Sequence, residues 1–283
     1  MRINTNVNSL NAQESASNTN STLKSSLEKL SSGLAINKAS DDASGLSIAD
    51  KLRTQASSLG QSISNGNSAS ALTQIADKAM GEQSNILDIV KQKLLQASTA
   101  TTSSEGRRAI EKDINKLLDQ VDNIATQTNY NGITLLQASH DSNSTTTALT
   151  FQMGELAADV IKTSGSVMAN TSGLTLTTLK TDVSDGSMTQ TGAANQLATI
   201  DTALDTLNAW RSDFGSTQNQ IESSVRNMST AQTNIKAAES VIRDVDYAAE
   251  SANFNKQNII SQAGTYAMSQ ANSLQQNVMR LLQ

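Results

Sequence analysis

Apolar residues recur at every seventh position through the last third of the chain: Ile200, Leu207, Phe214, Ile221, Met228, Ile235, Ile242 and Ala249. A second row, three residues earlier in each repeat, contains Leu197, Leu204, Arg211, Gln218, Val225 and Gln232, so it starts apolar and turns mixed. A seven-residue repeat sustained this far predicts one long helix packed along a narrow seam. At a rise of about 1.5 Å per residue, about 50 residues extend roughly 75 Å. The simplest object with such a seam is a long intramolecular hairpin of helices.

The rest of the chain supplies partners for that helix. Ile3, Val7 and Leu10, then Leu23, Leu27, Leu30 and Leu34, give residues 1–36 a helical period interrupted by Ser and Asn. An amphipathic helix so rich in Ser and Asn is marginal without a partner. Ser40, Asp41 and Asp42 are good capping and first-turn residues for a following helix. That helix is expected from about 43 to about 98, with Ile48, Leu52, Leu59, Ile63, Leu72, Ile75, Ile86, Val90 and Leu94 on its apolar face. Gly45, Gly60, Gly66 and Gly81 each weaken it locally by up to about 1 kcal/mol. Ile110, Ile114, Leu117, Val121 and Ile124 predict another helix, ending near the Asn131-Gly132 turn signal. The helical period then fades. Leu149, Phe151 and Met153 alternate with polar residues and predict a strand, with Val160-Ile161 as its hairpin partner. Leu174 and Leu176 predict a weaker strand, and 139–147 and 182–191 are polar loops. The long helix is expected to begin near Ala194. Helical segments of similar pattern thus flank a small β patch, which predicts that the two ends of the chain pair along a rod.

Composition narrows the function classes. The chain has no proline, no cysteine and only 2% aromatic residues, with a net charge of −5. Proline-free segments suit long helices, and a core of Ala, Leu, Ile and Val suits thin helical layers. Absence of cysteine excludes a disulfide scaffold and a thiolate metal site. Residues 1–6 lack the charged and apolar regions of a secretory signal, and no stretch reaches the roughly 18 apolar residues of a membrane span. The negative charge and absence of a basic cluster argue against nonspecific nucleic-acid binding. The abundance of Ser, Thr, Asn and Gln over charge suggests polar surface that meets other protein.

Three segments carry a family resemblance. The run from Leu30 to Arg53, LSSGLAINKASDDASGLSIADKLR, the opening MRINTNVNSLNAQ, and the C-terminal stretch from Ala237 through Ile242-Arg243-Asp244-Val245-Asp246-Tyr247 to QANSLQQNVMRLLQ resemble bacterial flagellins. Details such as Ile86-Leu87-Asp88 are similar to the epsilonproteobacterial type. The resemblance implies a mainly α fold, a long coiled-coil rod formed by the N- and C-terminal halves with a small β-hairpin region. It implies an inner pair of terminal helices from 1–42 and 243–283, and a rod over 43–242 with its β patch at 133–180. The gap between Leu179 and Gln196 is too short for the outer domains that many flagellins carry.

The function implied is a structural subunit, exported unfolded and polymerised into the extracellular flagellar filament for motility. Weighed beside it are the hook–filament junction protein and a host-interaction or adhesin role. Implied partners are copies of the chain itself, the export apparatus, a C-terminal-binding chaperone, the filament cap and hook-junction proteins. Leu23, Leu27, Leu30, Leu274, Val278 and Leu281 are the candidate inner-tube assembly residues. An enzyme of the zinc-peptidase kind found in some flagellins needs two His ligands and a Glu base. This chain has one histidine, His140, so no enzyme activity, cofactor or metal is expected. The segment that the Toll-like flagellin receptor reads in other members resembles residues 88–93 here, but Ile89 replaces an Arg, Lys93 a Leu, and Asp113 a supporting Glu. Recognition by that receptor is expected to be weak or evaded. Trp210, one position off the seam, is expected as a packing anchor, and Arg211 either as a snorkelling side chain or as an inter-subunit ion pair. The Ser/Thr loops are simple solvated loops, or O-glycosylation sites as in related flagellins.

Overall fold

The computed structural model describes residues 6–137, 146, 148–163, 165 and 167–281, with the side chains of 275 and 277–281 outside the description. His140, most of the 139–147 loop, and the side chains of Val278 and Leu281 therefore lie outside the described residues. Among the described residues, six helices and four short strands follow in chain order: α1 Val7–Ser32, α2 Ala43–Ala97, α3 Ser104–Gln127, β1 Asn129–Tyr130, β2 Ile133–Thr134, β3 Thr150–Gln152, β4 Val160–Lys162, α4 Thr177–Ser184, α5 Gln190–Arg243 and α6 Tyr247–Leu281. The chain divides into two units, 57–232 and the pair of segments 1–56 with 233–283.

The larger unit holds most of the apolar core. α2 contributes Leu72, Ala76, Met80, Leu87, Val90 and Leu94; α3 contributes Ile110, Ile114, Leu118, Val121 and Ala125; α5 contributes Ile200, Ala203, Leu207 and Phe214. The heptad seam is real: Ile200, Leu207, Phe214, Ile221 and Met228 are all buried. Its accompanying row, however, lies three residues after each seam position. Ala203 and Thr217 are buried and Trp210 packs against the core, whereas Arg211 and Gln218 are only partly covered. Trp210 is therefore on the second row. The apolar start at Leu197 and Leu204 misdirects the sequence reading, because both also rest against the core edge. The seam also ends sooner than the repeat does. Ile235 and Ile242 are half-buried, and Ala249 lies exposed in α6, beyond the break at 244–246.

The middle of the chain holds two antiparallel hairpins. β1 and β2 pair across Asn131 (φ 51°) and Gly132 (φ 81°). Two consecutive left-handed residues make the type I′ turn that matches strand twist, and Gly takes that conformation without a Cβ clash. β3 and β4 pair Phe151 with Ile161, as the alternation predicts. Met153 then packs with Ala69, Ile221 and Met228. A Cβ on Gly66 would come within 2.8 Å of Met153 Cε. That glycine is thus a close-packing position, and α2 runs unbroken through it.

The expected strand at Leu174 and Leu176 is absent. Leu174 lies in a turn and Leu176 immediately precedes α4; both are fully buried. The backbone N–H of Leu174 donates to Asn170 O and that of Leu176 to Thr171 O, with Thr175 left-handed at φ 57°. Two leucines spaced by two can enter a core from a tight turn as well as from a strand. The expected loop at 182–191 is likewise shorter, since α4 runs to Ser184 and α5 starts at Gln190.

In the smaller unit α1 runs antiparallel to α6. Ser9 Oγ donates to Asn272 Oδ1 (2.9 Å), Ser261 Oγ to Asn20 Oδ1 (3.1 Å), and Ser26 Oγ to Glu250 Oε1. Asn6 caps α1 by accepting from Ser9 N, and its Nδ2 donates to Ala271 O (3.1 Å). Gly33 ends α1 in the left-handed conformation at φ 77°. Past it, Ala35 N donates to Arg243 O (2.7 Å) and Val245 N to Gly33 O (3.0 Å), so the breaks after α1 and α5 are tied by backbone.

Candidate assembly surface

The face that α1 turns to its partner can be read from its half-buried and buried positions: Ser9, Ala12, Ala16, Thr19, Leu23, Ser26 and Leu30. In α6 the corresponding row is Glu250, Phe254, Gln257, Ser261, Gly264, Met268 and Ala271. Both rows keep three-four spacing, but most of their side chains are small or polar. Two helices meeting through Ala, Ser and Gly approach closely; a Cβ on Gly264 would stand 3.8 Å from that of Ala16. Among the described residues of α1, only Ala16 and Ser26 are buried.

Leu23, Leu30, Phe254 and Met268 are the large apolar members of the two rows; several others lie off them. Leu27 is 48% exposed, Ile259 67%, Tyr266 74% and Leu274 57%; Val7, Leu10 and Ile260 are also exposed. Large exposed apolar patches mark interaction sites, and these residues are the candidates for one in this unit. The expected inner-tube residues therefore separate. Leu23 and Leu30 lie on the α1–α6 row, half-buried within the chain, whereas Leu27 and Leu274 are exposed. Ile259, Ile260 and Tyr266 escaped the sequence reading. Their signal lies in the same helix: they are large apolar residues that fall outside the three-four row of α6.

The capping residues behave as local chemistry dictates. Asp42 Oδ1 accepts from Ser44 N and Gly45 N at the start of α2. Asp41 Oδ2 accepts from Lys38 N and Asn37 N, and those backbone donors hold its carboxyl below the ordinary value. The two adjacent aspartates thus do different work, one capping the helix and one closing the preceding loop.

In the larger unit, the candidate recognition residues lie on α2 and α3. Ile89 is 43% exposed. Lys93 Nζ pairs with Asp113 Oδ2 at 3.0 Å, bringing two of the three together as an ion pair. Lys91 pairs with Asp201 of α5. Arg211 forms an ion pair within the chain, its Nε donating to Asp77 Oδ1 at 3.0 Å. Asp122 accepts from Thr171 N, Thr171 Oγ1 and Lys180 Nζ, fastening the 170–180 segment to α3. Burial opposes the Lys180 charge, but its bonds to Asp122 and Asp119 outweigh that and raise its pKa above the ordinary lysine value. Among the described residues no group of His, Cys, Asp and Glu is placed to hold a metal ion, and no helix is long and apolar enough to cross a membrane.

Comparison with known proteins gives a consistent result. The family described as the bacterial flagellin N-terminal helical region matches residues 3–141, and the bacterial flagellin C-terminal helical region matches 197–282. The flagellin of Bacillus subtilis (strain 168) is 35% identical over 303 aligned positions that span 100% of both chains. Flagellin A of Helicobacter felis is 48% identical over 163 positions, which are 58% of this chain and 31% of that one. A structure solved as a flagellar hook-associated protein of Vibrio parahaemolyticus has a TM-score of 0.61 at 11% identity, covering 71% of this chain and 99% of that chain, a likeness of fold alone.

Proposed function

Because the chain belongs to the bacterial flagellin family, of the epsilonproteobacterial type, and is a structural subunit of the flagellar filament, we propose that α1 and α6 are the surface through which it polymerises. The observation that carries this is the exposure of Leu27, Ile259, Tyr266 and Leu274, outside a seam whose side chains are mostly small or polar. Non-closing, head-to-tail contacts between identical subunits generate helical filaments. Burying each Leu- or Ile-sized side chain against a neighbouring copy contributes roughly 1.5–3 kcal/mol. Residues 1–42 and 243–283 form the inner pair and 43–242 the rod, with no outer domain between Leu179 and Gln196. Val278 and Leu281 are assigned to the same assembly role on their sequence alone.

A thin terminal pair also suits export. A segment with little apolar burial of its own orders at low gain until neighbours cover it, so the subunit travels unfolded through the export apparatus. A chaperone shields the C-terminal segment, and the subunit folds beneath the cap, beyond the hook-junction proteins. Deleting 264–283 is expected to abolish seeded filament growth while the 57–232 unit keeps its cooperative melt. Normal growth by the truncated subunit contradicts the assignment.

The Toll-like flagellin receptor is expected to respond weakly. Ile89 offers none of the donors of an Arg fork, and Lys93 is committed to Asp113. A reporter-cell titration checks this, and full activation at the dose of a receptor-read flagellin overturns it.

A further inference from the structure

The chain contains two Asn-Gly steps, Asn65-Gly66 and Asn131-Gly132. Asn followed by Gly is the pair least protected by side-chain bulk against attack of the next backbone nitrogen on the Asn side chain. The structure gives the two steps opposite surroundings.

Gly66 is buried in the interior of α2, where its N–H is committed to the helical ladder. The space beside it is filled by Val225 and Met153. The Asn65 side chain is engaged at both ends, accepting from Gln61 Nε2 (3.0 Å) and donating to Gln152 O (3.5 Å). Cyclisation there requires opening a 55-residue helix near its packed middle.

Asn131 and Gly132 are both exposed, and nothing lies within 4 Å of where a Cβ on Gly132 would stand. Among the described residues no hydrogen bond holds the Asn131 side chain. The turn is closed by only two residue pairs, Asn129 with Thr134 and Tyr130 with Ile133. The left-handed backbone of Asn131 must rotate before Gly132 N can reach its Cγ, but so short a surface ladder opens locally at low cost.

We propose that Asn131 is a site of spontaneous deamidation in the folded protein and that Asn65 is protected. Gly132 N forms a bond to Asn131 Cγ, the side-chain nitrogen leaves as ammonia carrying the amide proton, and a succinimide closes. Water then opens either carbonyl, giving aspartate or isoaspartate. The isoaspartate product adds a methylene to the main chain of a turn that needs two left-handed residues, so the β1–β2 hairpin is altered irreversibly and without an enzyme.

The test incubates the full chain at mildly alkaline pH, folded and in parallel in concentrated urea, then digests it and follows both sites by mass spectrometry. In urea the two sites are expected to react at similar rates, since both precede glycine. In the folded protein Asn131 is expected to gain one dalton and Asn65 to react at least about tenfold more slowly, in line with the cost of opening packed structure. Equal rates at the two sites in the folded protein overturn the proposal. So does an Asn131 that stays intact when folded but reacts in urea.

Discussion

In α5 the row Ile200, Ala203, Leu207, Trp210, Phe214, Thr217 and Ile221 is buried except for Trp210, which packs on the core, whereas the equally spaced row of α1 is Ser9, Ala12, Ala16, Thr19, Leu23, Ser26 and Leu30, of which only Ala16 and Ser26 are buried. The spacing is the same and the content differs. Filling a seam position with Leu or Phe removes far more apolar surface from water than filling it with Ala or Ser, by about 0.8 kcal/mol per methylene. The larger unit therefore satisfies itself, with α3, α4 and the 167–188 segment closing its core. The α1–α6 pair sets its register with polar links such as Ser9–Asn272 and Ser261–Asn20, and leaves Leu27, Ile259, Tyr266 and Leu274 outward. We propose that a helix pair of that kind is completed by other copies of the chain.

The largest effect is expected in the self-sufficient unit. Phe214 is almost fully buried, so Phe214→Ala should cost about 3–5 kcal/mol, the range for truncating a core aromatic. A thermal melt of the monomer reads this directly, and a loss under about 1 kcal/mol means that the seam is looser than its burial indicates. Tyr266→Ser sharpens the contrast from the other side. With 74% of Tyr266 exposed, monomer stability should change by no more than about 0.5 kcal/mol, yet seeded polymerisation should slow or stop. A variant that destabilises the monomer strongly but grows filaments normally would reverse the roles of the two regions.

Much of this organisation was legible in the chain itself. Helix positions, the β3–β4 hairpin and the heptad seam follow from periodicity, because burial in a helical bundle imposes that period directly on the residues. The misreadings have physical causes. Leu174 and Leu176 have strand spacing, but the left-handed Thr175 turns them into the core. The row three residues before the α5 seam turns from apolar to mixed because Leu197 and Leu204 flank the core while Arg211 leaves it to meet Asp77. At the candidate surface, a shared apolar period grouped Leu23, Leu27 and Leu30, but only knowing where α6 lies separates Leu27 from the other two. Ion pairs such as Lys93–Asp113 join residues 20 apart on different helices, a distance over which periodicity carries no information.

Hydrogen exchange followed along the full-length monomer and then along the assembled filament tests the central claim most directly. Exchange reports local opening free energy. In the monomer, amides of α3 and of α5 around Ile200–Phe214 should be strongly protected, while those of α1 and α6 exchange orders of magnitude faster. In the filament, protection of α1 and α6 should rise to match. Equal protection of α1 and α5 in the monomer, or α1 and α6 amides that remain fast in the filament, would contradict the division into a self-sufficient unit and a pair completed by neighbours.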